Sequence, residues 1–199
     1  MSTKFLLATH NQDKVREIEA IMRTEIGEEV EFISGIDPGE VIEDGDTIEE
    51  NARIKAHAWL ELNPDCIVLA DDTGLFVDAL GGAPGIYAAR YAGENVAYAD
   101  NCNKLLRELQ GVEEQKRTAK FSTCAVAVRA ESSDILSIGS VEGLISTENK
   151  GEGFGYDPVF VPKGYEETFL ELGDSVKNMI SHRARAFRAL AHGIKAAKW

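Results

Sequence analysis

Apolar positions along the chain follow two periods, and the switches between them mark the elements. Residues 4–9 (KFLLAT) are a short apolar run of strand character. From Gln12 the apolar residues Val15, Ile18, Ile21 and Met22 recur at helical spacing, with Asn11 as the natural N-cap. DTIEENARIKAHAWLEL predicts a second helix: Thr47 with Glu50 three residues on is a capping box, and Ala52, Ala56, Trp59 and Leu60 share a face. NPD at 63–65 ends it. Cys66 to Ala70 reads as a buried strand that ends at DDTG, followed by a second extended piece through Leu75, Val77 and Ala79. GGAPG at 81–85 reads as a loop, since Gly pairs around a Pro do not sustain a regular element. A polar helix is expected from about Val96 to Leu109, then two alternating segments, TAKFSTCAVAVRA and DILSIGSVEGLIST, that predict antiparallel strands. Residues 149–165 form a long loop with one short extended piece, and Ser181 caps a last helix that buries Ala184, Phe187, Leu190, Ala191 and Ile194. This order, with no repeat or linker, predicts one α/β domain over 1–199, as a single body or two lobes.

Composition narrows the classes. A formal charge of −13 argues against a nucleic-acid groove, which needs clustered Lys and Arg, but not against a small anion held together with a divalent metal. No apolar run reaches the roughly 18 residues of a membrane helix, and MSTKFLLATHN lacks the long apolar region of a signal peptide, so a cytoplasmic protein is expected. Cys66, Cys102 and Cys124 are odd in number and far apart, which suggests neither a disulfide framework nor a zinc site, but small buried residues.

Four places carry candidate chemistry. Where the first strand meets the first helix, Thr9, Asn11 and Lys14 would face an oxyanion together with helix N–H groups; the same residues also suit a plain helix cap. Asp71 and Asp72, at the mouth of a buried strand, repel one another unless a cation or proton intervenes, and Mg²⁺ needs only one or two carboxylates; a side-chain turn is the alternative. Glu43 is a further candidate ligand, or a solvated carboxylate. GFGYDP sets Phe154 and Tyr156 in a glycine frame, either to stack on a base or to plug a core. Lys177, His182 and Arg183 surround a helix start, where cations oppose the dipole, so an anion or base carbonyl is their expected partner.

With these motifs in hand, the chain resembles the inosine triphosphate pyrophosphatase family, also called Ham1-like, in its bacterial form. ATHNQDKVREI, GDTIEENARIKA, LADDTGLFVDALGGAPGIYAARYAG, GEGFGYDPVF and ISHRARAF stand in the family's order and spacing almost end to end. The resemblance implies a two-lobed α/β fold around a mixed, strongly twisted central sheet with flanking helices, an active-site cleft between the lobes, and a homodimer. It implies Mg²⁺-dependent hydrolysis of ITP, dITP and XTP to the monophosphate and pyrophosphate. Carried over by position, Thr9, His10, Asn11, Gln12, Asp13 and Lys14 form the triphosphate cradle, with Lys55 a further cation. Asp72 is metal ligand and general base, and Thr73 touches substrate. Phe154, Gly155, Tyr156, Asp157, Lys177, His182 and Arg183 surround the nucleoside. One position departs from the pattern: where the family often has the first of two Glu residues as a metal ligand, this chain has Ile42, so either Glu43 takes over as the second metal ligand or Asp72 holds the ion with water and phosphate oxygens. Two rivals are a Maf-like nucleotide pyrophosphatase and a nucleotide-binding module without turnover.

Overall fold

The computed structural model describes residues 4–27 and 30–199. Among these, seven strands and five α-helices alternate: β1 (Lys4–Leu7), α1 (Gln12–Ile26), β2 (Glu31–Ile33), α2 (Ile48–Leu62), β3 (Ile67–Val77), β4 (Pro84–Gly85), α3 (Tyr98–Glu108), β5 (Thr118–Val128), β6 (Ile135–Ile145), β7 (Phe160–Pro162), α4 (Phe169–Ile180) and α5 (His182–Ala197). The strands make one mixed sheet in the order β2-β1-β3-β5-β6-β7, with β4 paired to β3. β1 runs parallel to β2 and β3, whereas β4 is antiparallel to β3 and β7 to β6. The parallel part follows from its connections, because a parallel neighbour requires a crossover of a dozen or so residues and α1 supplies one. No helix among the described residues is long and apolar enough to cross a membrane.

The chain divides into two compact units, Met1–Asp72 with Thr123–Gly139 and His182–Trp199, and Thr73–Ser122 with Ser140–Ser181. In the first, α1 packs on α5. Ile18, Ile21 and Met22 meet Phe187, Leu190 and Ile194 over Phe5, Leu7, Ile67 and Leu69, in one core. The approach is close at Gly139 of β6, where an added Cβ would lie 2.2 Å from the His182 carbonyl and 2.3 Å from Ala186 N. The second unit buries Leu75, Val77, Cys102, Leu105, Phe121, Phe160 and Phe169. Ring centroids there are 4.7 Å apart for Phe121 and Phe160 and 5.3 Å apart for Phe160 and Phe169. Such pairs are worth about 0.5–1.5 kcal/mol beyond the apolar area they bury.

Four expectations are corrected. The strand expected to stop at DDTG runs unbroken through it as β3. GGAPG is not wholly loop, since Pro84–Gly85 pair with Leu75 and Phe76. β2 was not expected. Nor was α4, whose start is a complete capping box: Thr168 N donates to Glu171 Oε2 at 2.9 Å and Glu171 N to Thr168 Oγ1 at 3.3 Å. Gly173, at φ 74° and ψ 170°, breaks α4 into two helical pieces, a conformation open almost only to glycine. Lys177 therefore sits inside α4, and Ser181, in extended conformation, closes α4 directly before α5. Cys102 and Cys124 are buried free thiols, pushed up to about 12 by burial, while Cys66 is only partly buried.

Candidate active site

The site begins where β1 hands the chain to α1. Asn11 caps the helix as expected, its Oδ1 accepting from Asp13 N at 3.0 Å and Lys14 N at 3.2 Å. Asn11 N in turn donates to Thr9 Oγ1 at 3.2 Å. Two of the helix amides expected to face an oxyanion, those of Asp13 and Lys14, are thus occupied by the Asn11 side chain, which leaves lysine the larger share of the positive character of this corner. Asp13 pairs with Arg16 on the exposed side of the first turn, and Gln12 is exposed. His10 is exposed, 2.7 Å from Asp37, with its ring centroid 5.6 Å from that of Trp59.

Asp71 and Asp72 lie within β3. Consecutive residues of a strand face opposite sides of the sheet, yet the charges of both act on Lys14 and on Lys55. Asp71 is 2% exposed and is met by three donors: Lys14 Nζ at 3.1 Å, Arg183 Nε at 3.1 Å and Arg183 Nη2 at 2.9 Å. Burial alone would raise its pKa, but Lys14, Arg183 and Lys55 outweigh it and hold the carboxyl well below the usual range. The Arg183 Nη1 donates to Glu17 Oε2 at 2.6 Å. The anion expected as Arg183's partner is therefore the protein's own Asp71 and Glu17. A guanidinium this buried must be matched in place, because the desolvation of an unpaired charge costs several kcal/mol. Lys14 feels burial most, which lowers its pKa, against Asp71, which raises it.

Lys55, on α2, lies 2.9 Å from Glu43 Oε2 and donates to the Asp71 carbonyl at 3.2 Å. Burial works to lower its pKa, and Glu43, Asp71 and Asp72 together turn the shift upward, so it is firmly a cation. Ala8, Thr9, His10, Asn11, Glu43, Lys55 and Trp59, with the 39–41 segment, line one cavity of about 590 Å³, within the range of small-molecule sites. At the departure, Ile42 is 76% exposed, and Glu43 is among the side chains that line the cavity. Among the described residues no three His, Cys, Asp or Glu side chains are grouped as a ready metal cage. Glu43 and Asp72, whose charges both act on Lys55, are hard oxygen donors of the kind Mg²⁺ takes together with water and phosphate oxygens.

In the second unit the GFGYDP loop turns at Gly155, φ +56°, where Asp157 N donates to the Phe154 carbonyl at 3.0 Å. Its two aromatics differ. Tyr156 is 4% exposed, its hydroxyl donating to the Ala88 carbonyl at 2.8 Å, so this ring belongs to the core. Phe154 is half-buried, edge-on to Tyr98 at 5.3 Å, with Lys177 Nζ 4.8 Å from its centroid. Lys177 also forms a buried ion pair with Asp157. The loop is held from α3, where the Cys102 thiol donates to the Gly155 carbonyl at 3.2 Å. His182, 3% exposed, opens α5, and Thr73 follows Asp72 in β3, half-buried.

Glu17, Trp59 and the 39–41 wall were not singled out as site residues from sequence, and none of them carried a local signal. Asp71 was singled out with Asp72, but not as the hub that joins Lys14 and Arg183.

Fold and site define an α/β protein with a cavity at a strand–helix junction, where Lys55 stands among the carboxylates of Glu40 and Glu43. The sequence model of the Ham1 family matches residues 5–193, and the chain belongs to that family. It is 47% identical over 195 residues to the dITP/XTP pyrophosphatase of Thermoanaerobacter pseudethanolicus, covering 96% of each chain. It is 44% identical over 194 residues to that of Bacillus subtilis, again covering 96% of each. Among solved structures, the Ham1 protein of Staphylococcus aureus superposes with a TM-score of 0.81 at 33% identity, over 98% of this chain and 100% of that one. The HAM1 protein of Coxiella burnetii does so with a TM-score of 0.84 at 33% identity, over 98% and 99%.

Proposed function

We propose that this chain hydrolyses deaminated purine nucleoside triphosphates, ITP, dITP and XTP, to the monophosphate and pyrophosphate, clearing them from the cytoplasmic nucleotide pool as a homodimer. The observation that carries the reading is the cavity at the β1–α1 junction, where Lys55 and Glu43 stand beside Thr9 and Asn11. The substrate class comes from the relatives, which carry the name dITP/XTP pyrophosphatase over nearly their full length. The same similarity favours this reading over a Maf-like specificity.

In this reading Thr9 to Lys14 and Lys55 neutralise and align the triphosphate, which is most of what phosphoryl transfer asks of a protein. Asp72 accepts a proton from the water that attacks the α-phosphorus, and pyrophosphate leaves. Mg²⁺, held by Asp72 and Glu43 with phosphate oxygens, would supply charge neutralisation. Thr73, Phe154, Gly155, Asp157 and Lys177 receive the nucleoside, with Tyr156 supporting the loop from the core. Since Arg183 is engaged with Asp71 and Glu17, the donor to a 6-oxo group is assigned to the backbone around His182. An adenine 6-amino group would leave that donor facing another donor, which is costly.

The test is pyrophosphate release from ITP, dITP, XTP, ATP and GTP, with and without Mg²⁺. Turnover of the deaminated purines well above ATP and GTP, lost on chelation, is expected. Asp72→Asn should lower kcat by about 10²–10⁴-fold, the usual worth of a general base. Equal turnover of ATP and ITP overturns the specificity; binding of ITP with no turnover would make the chain a sensor instead.

A further inference from the structure

The wall that carries Glu43 is joined to Asp72 by one side chain with no role assigned above, Asn51. It lies in the first turn of α2 and is 5% exposed. Its Oδ1 accepts from Gly45 N at 2.9 Å, and its Nδ2 faces Asp72 Oδ2 at 3.4 Å. The amide has one sensible orientation, because a backbone N–H requires the oxygen and a carboxylate requires the NH₂. A carboxylate in its place could not donate to Asp72, and an aliphatic chain could do neither.

Gly45 belongs to the same device. A Cβ there would lie 2.6 Å from Glu50 Cβ and 2.8 Å from Asn51 Oδ1, so the loop reaches this depth only as glycine. Beside it, Asp46 N donates to Glu50 Oε2 at 2.8 Å, which pins the loop end a second time. At its other end Asn63, the last cap of α2, accepts from Ile36 N at 2.7 Å and donates to the Ile36 carbonyl at 2.9 Å. The segment bearing Glu43 is thus clamped on both sides by α2, and only the Asn51 clamp also reaches the carboxylate proposed as base.

We infer that Asn51 is a positioning residue: it fixes the orientation of the Asp72 carboxylate and ties it to the loop that bears Glu43. The inference rests on the reading of Asp72 as the base, and it concerns geometry, because a misplacement of about 1 Å costs on the order of 10²-fold in rate. Asn51→Asp and Asn51→Leu separate the two halves of the amide's work. The first keeps the acceptor for Gly45 N and loses the donor to Asp72; the second loses both.

The experiment is steady-state ITP hydrolysis by both variants, alone and with Asp72→Asn, with melting temperatures read alongside. Asn51→Asp is expected to lower kcat about 10–100-fold with KM within about threefold, since Asn51 shapes geometry rather than binding. In the Asp72→Asn background Asn51→Asp should change the residual rate less than about twofold, as for groups acting through one another, whereas Asn51→Leu, which also releases Gly45, should lower it further. Wild-type kinetics in Asn51→Asp, or a loss by Asn51→Asp that multiplies with that of Asp72→Asn, overturns the inference and leaves Asn51 as a loop anchor. A wild-type protein silent on ITP, dITP and XTP overturns the parent reading and this inference with it, a result visible before any variant is made.

Discussion

The two units build their candidate binding groups in different ways. In the first, Lys14, Lys55 and Arg183 are set against Asp71, Glu17 and Glu43, and apart from Glu43 all of them stand on helices or on β3. In the second, one ion pair, Lys177 with Asp157, is framed by Phe154 and Tyr98 on a loop and a helix end, and neutral bonds from Cys102 and Tyr156 hold the loop. Charge matched against charge on regular elements makes a stiff frame suited to a polyanion. A ring, a short ion pair and a glycine turn make a shape suited to a planar group. The first unit should therefore owe more of its stability to charge, and the second more to packing.

The sharpest way to break that contrast is to remove one cation from each. Arg183→Met takes the guanidinium from two buried carboxylates at once, leaving Asp71 with Lys14, and should cost about 3–5 kcal/mol, read by urea denaturation. Lys177→Met takes the cation from a single carboxylate, Asp157, whose side chain is 11% exposed, and should fall at the lower end, about 3 kcal/mol. If Lys177→Met proved the costlier, the first unit's charges would not be its frame. Next in size, Tyr156→Phe keeps the ring in its core and removes the donor to the Ala88 carbonyl, which predicts a loss of about 1–2 kcal/mol in the same assay.

What could be foreseen from sequence divides along the same line. Local signals were readable: Asn11 and Thr47 cap the helices they were expected to cap, because a cap is written within four residues. The α/β order and the buried face of α5 were readable for the same reason, through periodicity. Asp71 was misjudged because two charges in an apolar run look like a strand end. The partner that lets the strand continue, Arg183, is 112 residues away. α4 escaped although Thr168 and Glu171 spell its box, since Gly173 breaks the period at the fifth residue of the helix. Phe154 and Tyr156 could not be told apart by pattern, because which ring enters the core depends on Ala88 and Phe121, residues from other segments.

The smallest effect tests the cap of α4, the helix whose far piece bears Lys177. Glu171 has its pKa lowered first by the Thr168 backbone N–H and then by the Thr168 hydroxyl, against slight burial. A carboxyl depressed in the folded state stabilises the protein above its unfolded value, here 4.5, and that contribution disappears as pH falls through the folded one. Wild type should therefore be more stable than Glu171→Gln at neutral pH, and the gap should narrow as pH falls below 4.5 into acid, where protonated Glu and Gln are nearly equivalent. Denaturation curves of the two proteins at neutral and acid pH decide it. A gap that persists or widens in acid would mean that the carboxylate's charge is not what closes the box, and that α4 is held from its packed side, by Phe169 in the core, rather than from its N-terminus.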